Sequence, residues 1–396
     1  MKIAVLGGAG AMGSITARDV LETADRATRV LVCDYDLRAA ESLVAKLGDE
    51  RAKAVPVDVR NPENLARVIQ GSLVVINCVQ YQFNLSVMEA ALAAGAHYVD
   101  LGGLFHVTRL QLSMHERFKE KGLTALVGMG AAPGITNILA RHAADQMETV
   151  REIHLRVGSI DRTRYTSKMA LPVSYSIKTV LEEFSFPPAV FTKGKFRFVP
   201  PLSGDVAHRF PAPVGQRRPM HSIHSEVATL PLSYGEKGVK EVSFKIAFDP
   251  DFLDRVRFLR DVGLASDELI EVDGQKVAPI DVVNKVVMSQ LKPKQIGKLK
   301  QHEILRAVVK GACGRKKMTH VVDCHTSGMP AWDIGLDIDT GAPPSIAAQM
   351  IAQGLITERG VVPPEVAVPP APFFKELKRR RMTVNETLKN GWSFQV

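Results

Sequence analysis

Glycines crowd a single turn near the start of the chain, directly after the short apolar run Lys2 to Leu6. Glycine permits a tight turn and a close approach of the backbone to a pyrophosphate, and a following helix offers free N–H groups at its positive end. The turn matches the pattern GxGxxG. It predicts a dinucleotide site whose contacts in this turn are Gly7, Gly8, Gly10, Ala11, Met12 and Gly13.

An acid ends the second apolar run, roughly 20 residues after the turn, where dinucleotide-binding folds bind the ribose. Asp34 at this place can accept hydrogen bonds from both ribose hydroxyls of NAD and would repel the 2′-phosphate of NADP. Arg38 lies four residues further on and could receive that phosphate if Asp34 turned away. The sequence therefore predicts NAD as the cofactor and leaves NADP possible.

Polar residues also follow the later apolar runs, where ligands gather in parallel sheets. Asp58 could accept a hydrogen bond from the adenine amine, or it could cap a helix or turn. Asn77 and Cys78 follow the next run and are predicted to line the nicotinamide. No neighbouring feature marks the Cys78 thiol as a reactive thiolate, so we expect it to line the cofactor rather than to act as a nucleophile.

The elements that must position these residues alternate along the first part of the chain. Continuous apolar strands separated by amphipathic helices indicate a parallel sheet covered on both faces. From about residue 128 strands with period-two alternation dominate, which favours a mostly antiparallel sheet. The predicted fold class is α/β, a doubly wound Rossmann domain plus an α+β substrate and dimerisation domain.

The predicted domain organisation follows this change of pattern. Residues 1–130 are predicted to form the dinucleotide-binding domain and residues 131–340 the substrate-binding and dimerisation domain. Residues 341–396 are predicted to be C-terminal helices and a proline-rich tail that return to the Rossmann domain, which is thereby split.

Composition narrows the possible partners. The net charge is +9, but the basic residues are spread along the chain rather than gathered with aromatic residues, so no nucleic-acid partner is predicted. No apolar run approaches the roughly 20 residues that span a bilayer, so no membrane partner is predicted. The four cysteines form no CxxC pair and a strand begins at residue 2, which predicts a reducing cytoplasm without disulfides. No metal site is predicted, because the residues between Cys313 and His325 are interpreted as a hairpin strand with one side facing the core.

Four motifs resemble the saccharopine dehydrogenase-like family. They are VVINCVQYQFN (residues 74–84), AGAHYVDLGG (94–103), APGITN (132–137) and GVVPPE (360–365). The lysine 6-dehydrogenases look nearest among its characterised members. The resemblance implies hydride exchange between a nicotinamide cofactor and a carbon bearing an amine nitrogen, and a homodimer formed through the second domain. Gln80 and Ala132 depart from the Pro and the acid of the saccharopine reductases, which favours the lysine 6-dehydrogenase branch or a carboxynorspermidine-type dehydrogenase.

Oxidation of an amine requires a neutral nitrogen and a group that shuttles one proton. Histidine is suited to this near pH 7, and a desolvated acid is the next choice. The predicted catalytic residues are His221, where the resemblance also places a histidine, and Asp100. His224 and Glu226 belong to the same polar segment, and His224 is a predicted substrate contact. Alternatively, the histidines satisfy a turn and Asp100 caps one.

Three further residues are predicted to bind substrate. Tyr81 and Asn84 come shortly after the strand predicted over Leu73 to Ile76 and could hold a carboxylate or an amine. Asn137 opens the helix after the Pro-Gly turn. Both asparagines could instead be helix N-caps.

The predicted function is an NAD(P)-dependent oxidoreductase acting on the C–N bond of an amino acid, of the lysine 6-dehydrogenase or saccharopine dehydrogenase type. One alternative is a reductase that makes a secondary amine from an amine and an aldehyde, with a polyamine-type substrate. The other is a non-catalytic regulator that senses NAD.

Overall fold

A computed structural model describes residues 1–173, 176–290 and 293–392 of the chain. Its strands in chain order are β1 (Lys2–Leu6), β2 (Arg29–Asp34), β3 (Ala52–Pro56), β4 (Val74–Asn77), β5 (His97–Asp100), β6 (Thr124–Leu126), β7 (Thr149–Asp161), β8 (Arg164–Tyr165), β9 (Ala189–Thr192), β10 (Lys195–Phe198), β11 (His208–Arg209), β12 (Gln216–Arg217), β13 (Met220–His221), β14 (Glu241–Ala247), β15 (Ile270–Val272), β16 (Gln275–Val277), β17 (Gln295–Ile296), β18 (Gln301–Cys313), β19 (Lys316–Thr326), β20 (Gly360–Val362) and β21 (Thr383–Asn390). Its helices are α1 (Ala11–Thr23), α2 (Leu37–Leu47), α3 (Pro62–Ile69), α4 (Asn84–Ala94), α5 (Leu104–Leu112), α6 (His115–Glu120), α7 (Ile135–Ala144), α8 (Ile177–Ser185), α9 (Glu226–Ser233), α10 (Pro250–Asp261), α11 (Pro279–Met288), α12 (Ile338–Ala352), α13 (Pro364–Ala367) and α14 (Pro370–Arg379).

The first sheet has seven parallel strands in the order β20-β6-β5-β4-β1-β2-β3. All four residues of β4 are buried, because helices cover both faces of the sheet. The strand order reverses between β1 and β4. This is the doubly wound Rossmann arrangement, and ligands bind at such a reversal.

The second sheet is mixed and has eight strands, with the order β10-β9-β14-β7-β18-β19-β21 and β13 added to β14. β14 and β7 are parallel, and the other pairs of this sheet are antiparallel. The predicted fold class, a Rossmann domain with an α+β second domain and a mostly antiparallel sheet, is confirmed.

The two faces of the second sheet have different surroundings. Leu155 and Phe244 belong to the main core together with residues of α7 and α9, and we call this side the inner face. Because side chains alternate along a strand, Arg156 and Lys245 lie on the opposite side, which we call the outer face.

The C-terminal segment completes the Rossmann domain. α12 packs on α1 so closely that a Cβ at Gly341 would lie 2.6 Å from the Cβ of Ile15, and Thr16 Oγ1 donates to the carbonyl oxygen of Gly341 at 2.7 Å. After α14, Arg380 forms a buried ion pair with Asp19 of α1, with Nε and Oδ1 2.7 Å apart.

The last strand, β21, joins the edge of the second sheet beside β19. The structure thus differs from the predicted return of residues 341–396 to the Rossmann domain as one piece, because this strand pairs with the exposed backbone edge that β19 offers. In the described residues no helix is both long enough and apolar enough to cross a bilayer.

Candidate active site

The glycine turn brings backbone N–H groups and Asp34 together at the ends of β1 and β2. A Cβ at Gly13 would lie 2.1 Å from the carbonyl oxygen of Gly7, and Gly7 itself has a φ of +65°, so side chains at these places would disrupt the turn. The N–H of Ala9 donates to Oδ2 of Asp34 at 2.9 Å, and the N–H of Asp36 donates to Oδ1 at 3.1 Å. The glycine turn precedes the N-terminus of α1 and Asp34 is held beside it, so these residues fit a dinucleotide.

Arg60 lies at the adenosine end of this site and was not among the residues predicted to bind the cofactor. Its Nε donates to Oδ1 of Asp58 at 2.9 Å and its Nη2 to Oδ2 at 2.7 Å, and these bonds lower the pKa of the Asp58 carboxyl. The guanidinium also lies 5.3 Å from the centre of the Tyr35 ring. Asp58 is therefore engaged by Arg60, and its contact with adenine stays a prediction.

The polar residues at the ends of β4 and β5 form a buried hydrogen-bond network. Nδ2 of Asn77 donates to Oδ1 of Asn84 at 3.0 Å and to the hydroxyl oxygen of Tyr98 at 3.1 Å. Oδ2 of Asp100 accepts from the Tyr98 hydroxyl at 2.8 Å and from Nε2 of Gln111 at 2.5 Å. Asn77 and Asn84 thus hold the strand ends in place, and both side chains are engaged inside the protein.

Asp100 also fixes the two loops that follow β5 and β6. Its Oδ1 accepts from the N–H of Gly102 at 2.9 Å and from that of Gly128 at 2.7 Å. Burial raises the pKa of the Asp100 carboxyl, and these hydrogen bonds oppose the rise. Each oxygen already accepts two hydrogen bonds. This geometry favours a role in positioning the loops over the predicted catalytic role.

Cys78 lies at the end of β4 with its sulfur 3.7 Å from Oγ1 of Thr16. Burial raises the pKa of the Cys78 thiol to about 12, so it is neutral at pH 7. A neutral thiol is a poor nucleophile, and the contact of Cys78 with the cofactor stays a prediction.

Glu182 of α8 contacts the first domain, and we call the junction of the two domains at this contact the cleft. The hydroxyl of Tyr81 donates to Oε2 of Glu182 at 3.0 Å. Glu183 is 7% exposed and forms no ion pair within the described ranges of the chain. Burial, together with Glu182 and Glu226, raises the pKa of the Glu183 carboxyl to about 7, although His224 lowers it.

His224 supplies a protonatable group to the same place. Its ring stacks on Phe244 with the centres 3.6 Å apart, and its Nδ1 lies 3.1 Å from Oε2 of Glu226. Oε1 of Glu226 accepts from the hydroxyl of Thr136 at 2.8 Å. Burial lowers the pKa of His224, but Glu226 and Glu183 outweigh it, so the net shift is upward.

Ser225 ties this segment to the Rossmann domain. Its Oγ accepts from the N–H of Gly103 at 3.3 Å and from the hydroxyl of Thr108 at 2.9 Å, and it donates to the carbonyl oxygen of Leu104 at 3.1 Å. The segment that carries His224 is therefore held against the loop after β5, where the nicotinamide end of the site lies.

Two predicted residues lie outside this group. Asn137 is buried, with Nδ2 donating to Oε2 of Glu365 at 2.8 Å and Oδ1 accepting from the N–H of Gly134 at 2.9 Å, so it secures the start of α7. His221 lies on β13 opposite Lys245 and thus on the outer face of the second sheet. The structure brings His224, and not His221, to the cleft.

We call the residues assembled here the cleft cluster: Tyr81, Glu182, Glu183, His224 and Glu226. Sequence reasoning indicated Tyr81, His224 and Glu226 but missed the two acids of α8. Their signal was present as two adjacent acids inside an apolar helical stretch, where carboxylates are expected only if they have partners or a function.

Sequence profiles of two protein domains match this chain. One, described as "Saccharopine dehydrogenase NADP binding domain", matches residues 3–126, and the other, described as "Saccharopine dehydrogenase C-terminal domain", matches residues 130–382. The chain belongs to the saccharopine dehydrogenase family. As a member of this family it is an NAD(P)-binding oxidoreductase, which confirms the predicted family, enzyme class and cofactor type.

Two relatives of this chain carry names that state an activity. A carboxyaminopropylagmatine dehydrogenase from Synechocystis sp. is 22% identical over 98% of both chains. A carboxynorspermidine synthase from Vibrio cholerae is 22% identical over 71% of both chains. The fold resembles that of an apo saccharopine dehydrogenase (L-Glu forming) from Saccharomyces cerevisiae, with a TM-score of 0.70, 18% identity and coverage of 98% of this chain and 99% of that one.

Proposed function

We propose that the protein catalyses NAD(P)-dependent reduction of the imine formed between a cationic, polyamine-type amine and an aldehyde, and the reverse oxidation of the secondary amine. The observation that carries this proposal is the cleft cluster, in which three carboxylates surround one histidine and one tyrosine. The names of the relatives from Synechocystis sp. and Vibrio cholerae support the same substrate class.

The charge of the cleft cluster favours a cation. Even with His224 protonated, the three carboxylates leave an excess of negative charge in a region where Glu183 is almost fully buried. An ammonium group would offset this charge and donate strong hydrogen bonds to carboxylate oxygens. Tyr81 holds Glu182 in place from the opposite domain, so the amine would be bound where the two domains meet.

The same residues can move the protons that the reaction requires. Joining an amine to an aldehyde releases one water, and reducing the imine consumes one hydride and one proton. The amine must first lose a proton to attack the carbonyl carbon, and Glu183, whose pKa lies near 7, can accept it. His224 can donate a proton to the departing hydroxyl group, because Glu226 orients its ring. When bound, NAD(P)H supplies the hydride to the imine carbon.

Oxidation of the side-chain amine of lysine, as in a lysine 6-dehydrogenase, stays a prediction for the same site, since lysine also presents a cation. A regulator that senses NAD without turnover is less well supported, because a buried acid and a histidine at the cleft serve no purpose in binding NAD alone.

Further proposals concern the cofactor, the domains, the location and the oligomeric state of the protein. Asp34 supports NAD over NADP, because a carboxylate beside the ribose would repel a 2′-phosphate. We also propose the predicted boundary between the first two domains near residue 130, a cytoplasmic location and a homodimer formed through the second domain. The cysteines support a reducing compartment, since all four are free in the structure.

The test is NAD(P)H formation from carboxyaminopropylagmatine, carboxynorspermidine, saccharopine and L-lysine, each with NAD and with NADP. We expect turnover of one of the two polyamine-type substrates, and Glu183→Gln should abolish most of it without weakening NAD binding. Turnover of L-lysine alone would replace our proposal with the lysine 6-dehydrogenase activity. If no substrate reacts while NAD still binds tightly, the protein is a sensor and the proposal is wrong.

A further inference from the structure

A row of basic side chains crosses the outer face of the second sheet. Lys245 of β14 is paired with Arg156 of β7 in the strand register, and His221 of β13 is paired with Lys245. Paired residues of neighbouring strands lie on the same face, with Cβ atoms about 5 Å apart. We call Arg156, Lys245 and His221 the outer basic row. It lies on the side of the sheet opposite Phe244 and the stacked His224.

The charge of Arg156 is buried without a counter-charge. Arg156 is 3% exposed, and its Nη1 donates to two neutral acceptors, the carbonyl oxygen of Leu155 at 2.6 Å and Oγ of Ser243 at 3.1 Å. Burial lowers the pKa of the guanidinium to about 9, which still leaves it charged at pH 7. A buried charge destabilises a fold strongly unless an opposite charge offsets it.

Neighbouring cations of the same sheet are neutralised, which sets Arg156 apart. Arg306, next to Arg156 in the register, pairs with Asp323 at 2.7 Å, and Lys310 pairs with Glu152 at 3.0 Å. Arg156 forms no such pair among residues 1–173, 176–290 and 293–392. The sheet therefore carries an unbalanced positive charge at one particular place.

Lys245 and His221 converge on the same space beneath a loop. A Cβ built on Gly204 would lie 2.9 Å from Nε2 of His221 and 3.1 Å from Nζ of Lys245. Burial and Arg156 lower the pKa of Lys245 to about 8, and burial, Lys245 and Arg156 lower that of His221 to about 4. Nζ of Lys245 donates to the carbonyl oxygen of Gly204 at 2.7 Å, again a neutral partner.

The covering loop is exposed to solvent at the point where it contacts these groups. Gly204 and Asp205 are exposed, and Gly204 presents no side chain above the row. Asp205 is the acid of this loop, and its charge raises the pKa of Lys245. Its Oδ2 already accepts a hydrogen bond from Nε of Arg218 at 3.2 Å. The loop is in close contact with the row at Gly204, so a small anion would reach Lys245 and His221 by displacing the carbonyl oxygen of Gly204 from Lys245.

We propose that Arg156, Lys245 and His221 form a binding site for an oxyanion, the phosphate or carboxylate group of a small molecule. An oxyanion would accept hydrogen bonds from the Lys245 ammonium, the guanidinium and a protonated or neutral imidazole, and it would supply the missing negative charge. The inference goes beyond the proposed activity and does not depend on it, since the sheet separates this row from the cleft cluster.

The test is calorimetric titration of the full chain with inorganic phosphate and, separately, with succinate, in the presence of saturating NAD so that the dinucleotide site is filled. We expect one of the two anions to bind, and the comparison tells phosphate from carboxylate ligands. Lys245→Gln should weaken that binding at least about tenfold. Lys240→Gln, which changes an exposed lysine at the start of the same strand, should leave it unchanged. Arg156→Lys should also weaken it, because the charge is kept but the planar fork is lost.

Three outcomes would overturn the proposal. The first is no binding of either anion up to about 10 mM, a concentration at which even millimolar sites are filled. The second is equal affinity in Lys245→Gln and Lys240→Gln, which would place the anion elsewhere. The third is loss of self-association in Lys245→Gln by sedimentation, which would assign the counter-charge to a carboxylate of a second copy.

Discussion

Replacement of Glu183 by glutamine should stabilise the protein at alkaline pH while it lowers activity. The Glu183 carboxyl has a pKa of about 7 in the folded protein against an ordinary value of 4.5, chiefly because of burial. The folded state therefore holds this proton more tightly than the unfolded state. Its favourable contribution to folding is fully present below pH 4.5 and is lost as the pH rises through about 7.

The size of the effect follows from the same two values. The difference between 4.5 and about 7 corresponds to roughly 3 kcal/mol of unfolding free energy. More than about 2 kcal/mol of this falls between pH 5 and pH 8. Glutamine has nearly the same shape and does not titrate, so Glu183→Gln should gain this amount over the wild type on going from pH 5 to pH 8.

The assay is urea unfolding of both proteins at the two pH values, followed by circular dichroism. Glu41→Gln, which changes an exposed carboxylate on α2, serves as the matched control and should show no such gain. In parallel, the pH profile of kcat/KM of the wild type should change near pH 7, where Glu183 titrates, and this change should be absent in Glu183→Gln. A stability difference that is the same at pH 5 and pH 8 would refute the reasoning, because it would mean that Glu183 does not keep its proton near neutral pH.

Three more predictions follow from particular contacts. Asp34→Ala should weaken NAD binding by about tenfold or more and NADP binding far less, and equal losses by fluorescence titration would show that Asp34 is not on the ribose. Tyr81→Phe removes the hydrogen bond to Glu182 and should raise KM for the amine about tenfold while KM for the aldehyde stays the same. Steady-state kinetics with each substrate varied in turn measure the two KM values, and an equal rise in both would contradict the prediction. Arg380→Met leaves Asp19 buried without its partner and should lower the unfolding free energy by about 3 kcal/mol, against no loss in Arg381→Met, which changes an exposed neighbour.

The dinucleotide site could be predicted from the sequence because its determinants are local. The glycine turn, the strand before it and the helix after it are continuous in the chain, and Asp34 follows at a fixed distance. The alternation of apolar strands and helices likewise identified the Rossmann domain, since a strand buried on both faces has a distinctive composition.

The cleft cluster and the residues around it could be predicted only in part, because their contacts join segments that are distant in the sequence. Asp100 could be recognised as an acid at the end of a buried strand. Its hydrogen bonds with Gln111 and with the N–H of Gly128 could not, because they depend on how β5, α5 and β6 pack. Glu183 was missed although two adjacent acids in an apolar helix are unusual, because its place beside His224 and Glu226 depends on how α8 packs with α10, α11 and distant parts of the chain. His221 and His224 are three residues apart, and only strand pairing decides which of them faces the cleft.

The last strand shows another limit of the sequence pattern. β21 is mostly exposed and polar, so it lacks the alternation that marks a half-buried strand. Its place is set by the free edge of β19, which the local sequence does not reveal.

The return of the C-terminal segment to the first sheet has a consequence for synthesis. β20 pairs with β6, α12 covers α1, and Arg380 neutralises Asp19, so the first domain gains these partners only when residue 380 has been made. Domains usually fold in order as they leave the ribosome. Here the first domain emerges before these partners have been made. Until then the apolar face of α1 and the backbone edge of β6 stay exposed. Ribosome-bound chains that end before α12 should therefore recruit chaperones, and chains that extend beyond residue 380 should bind dinucleotide.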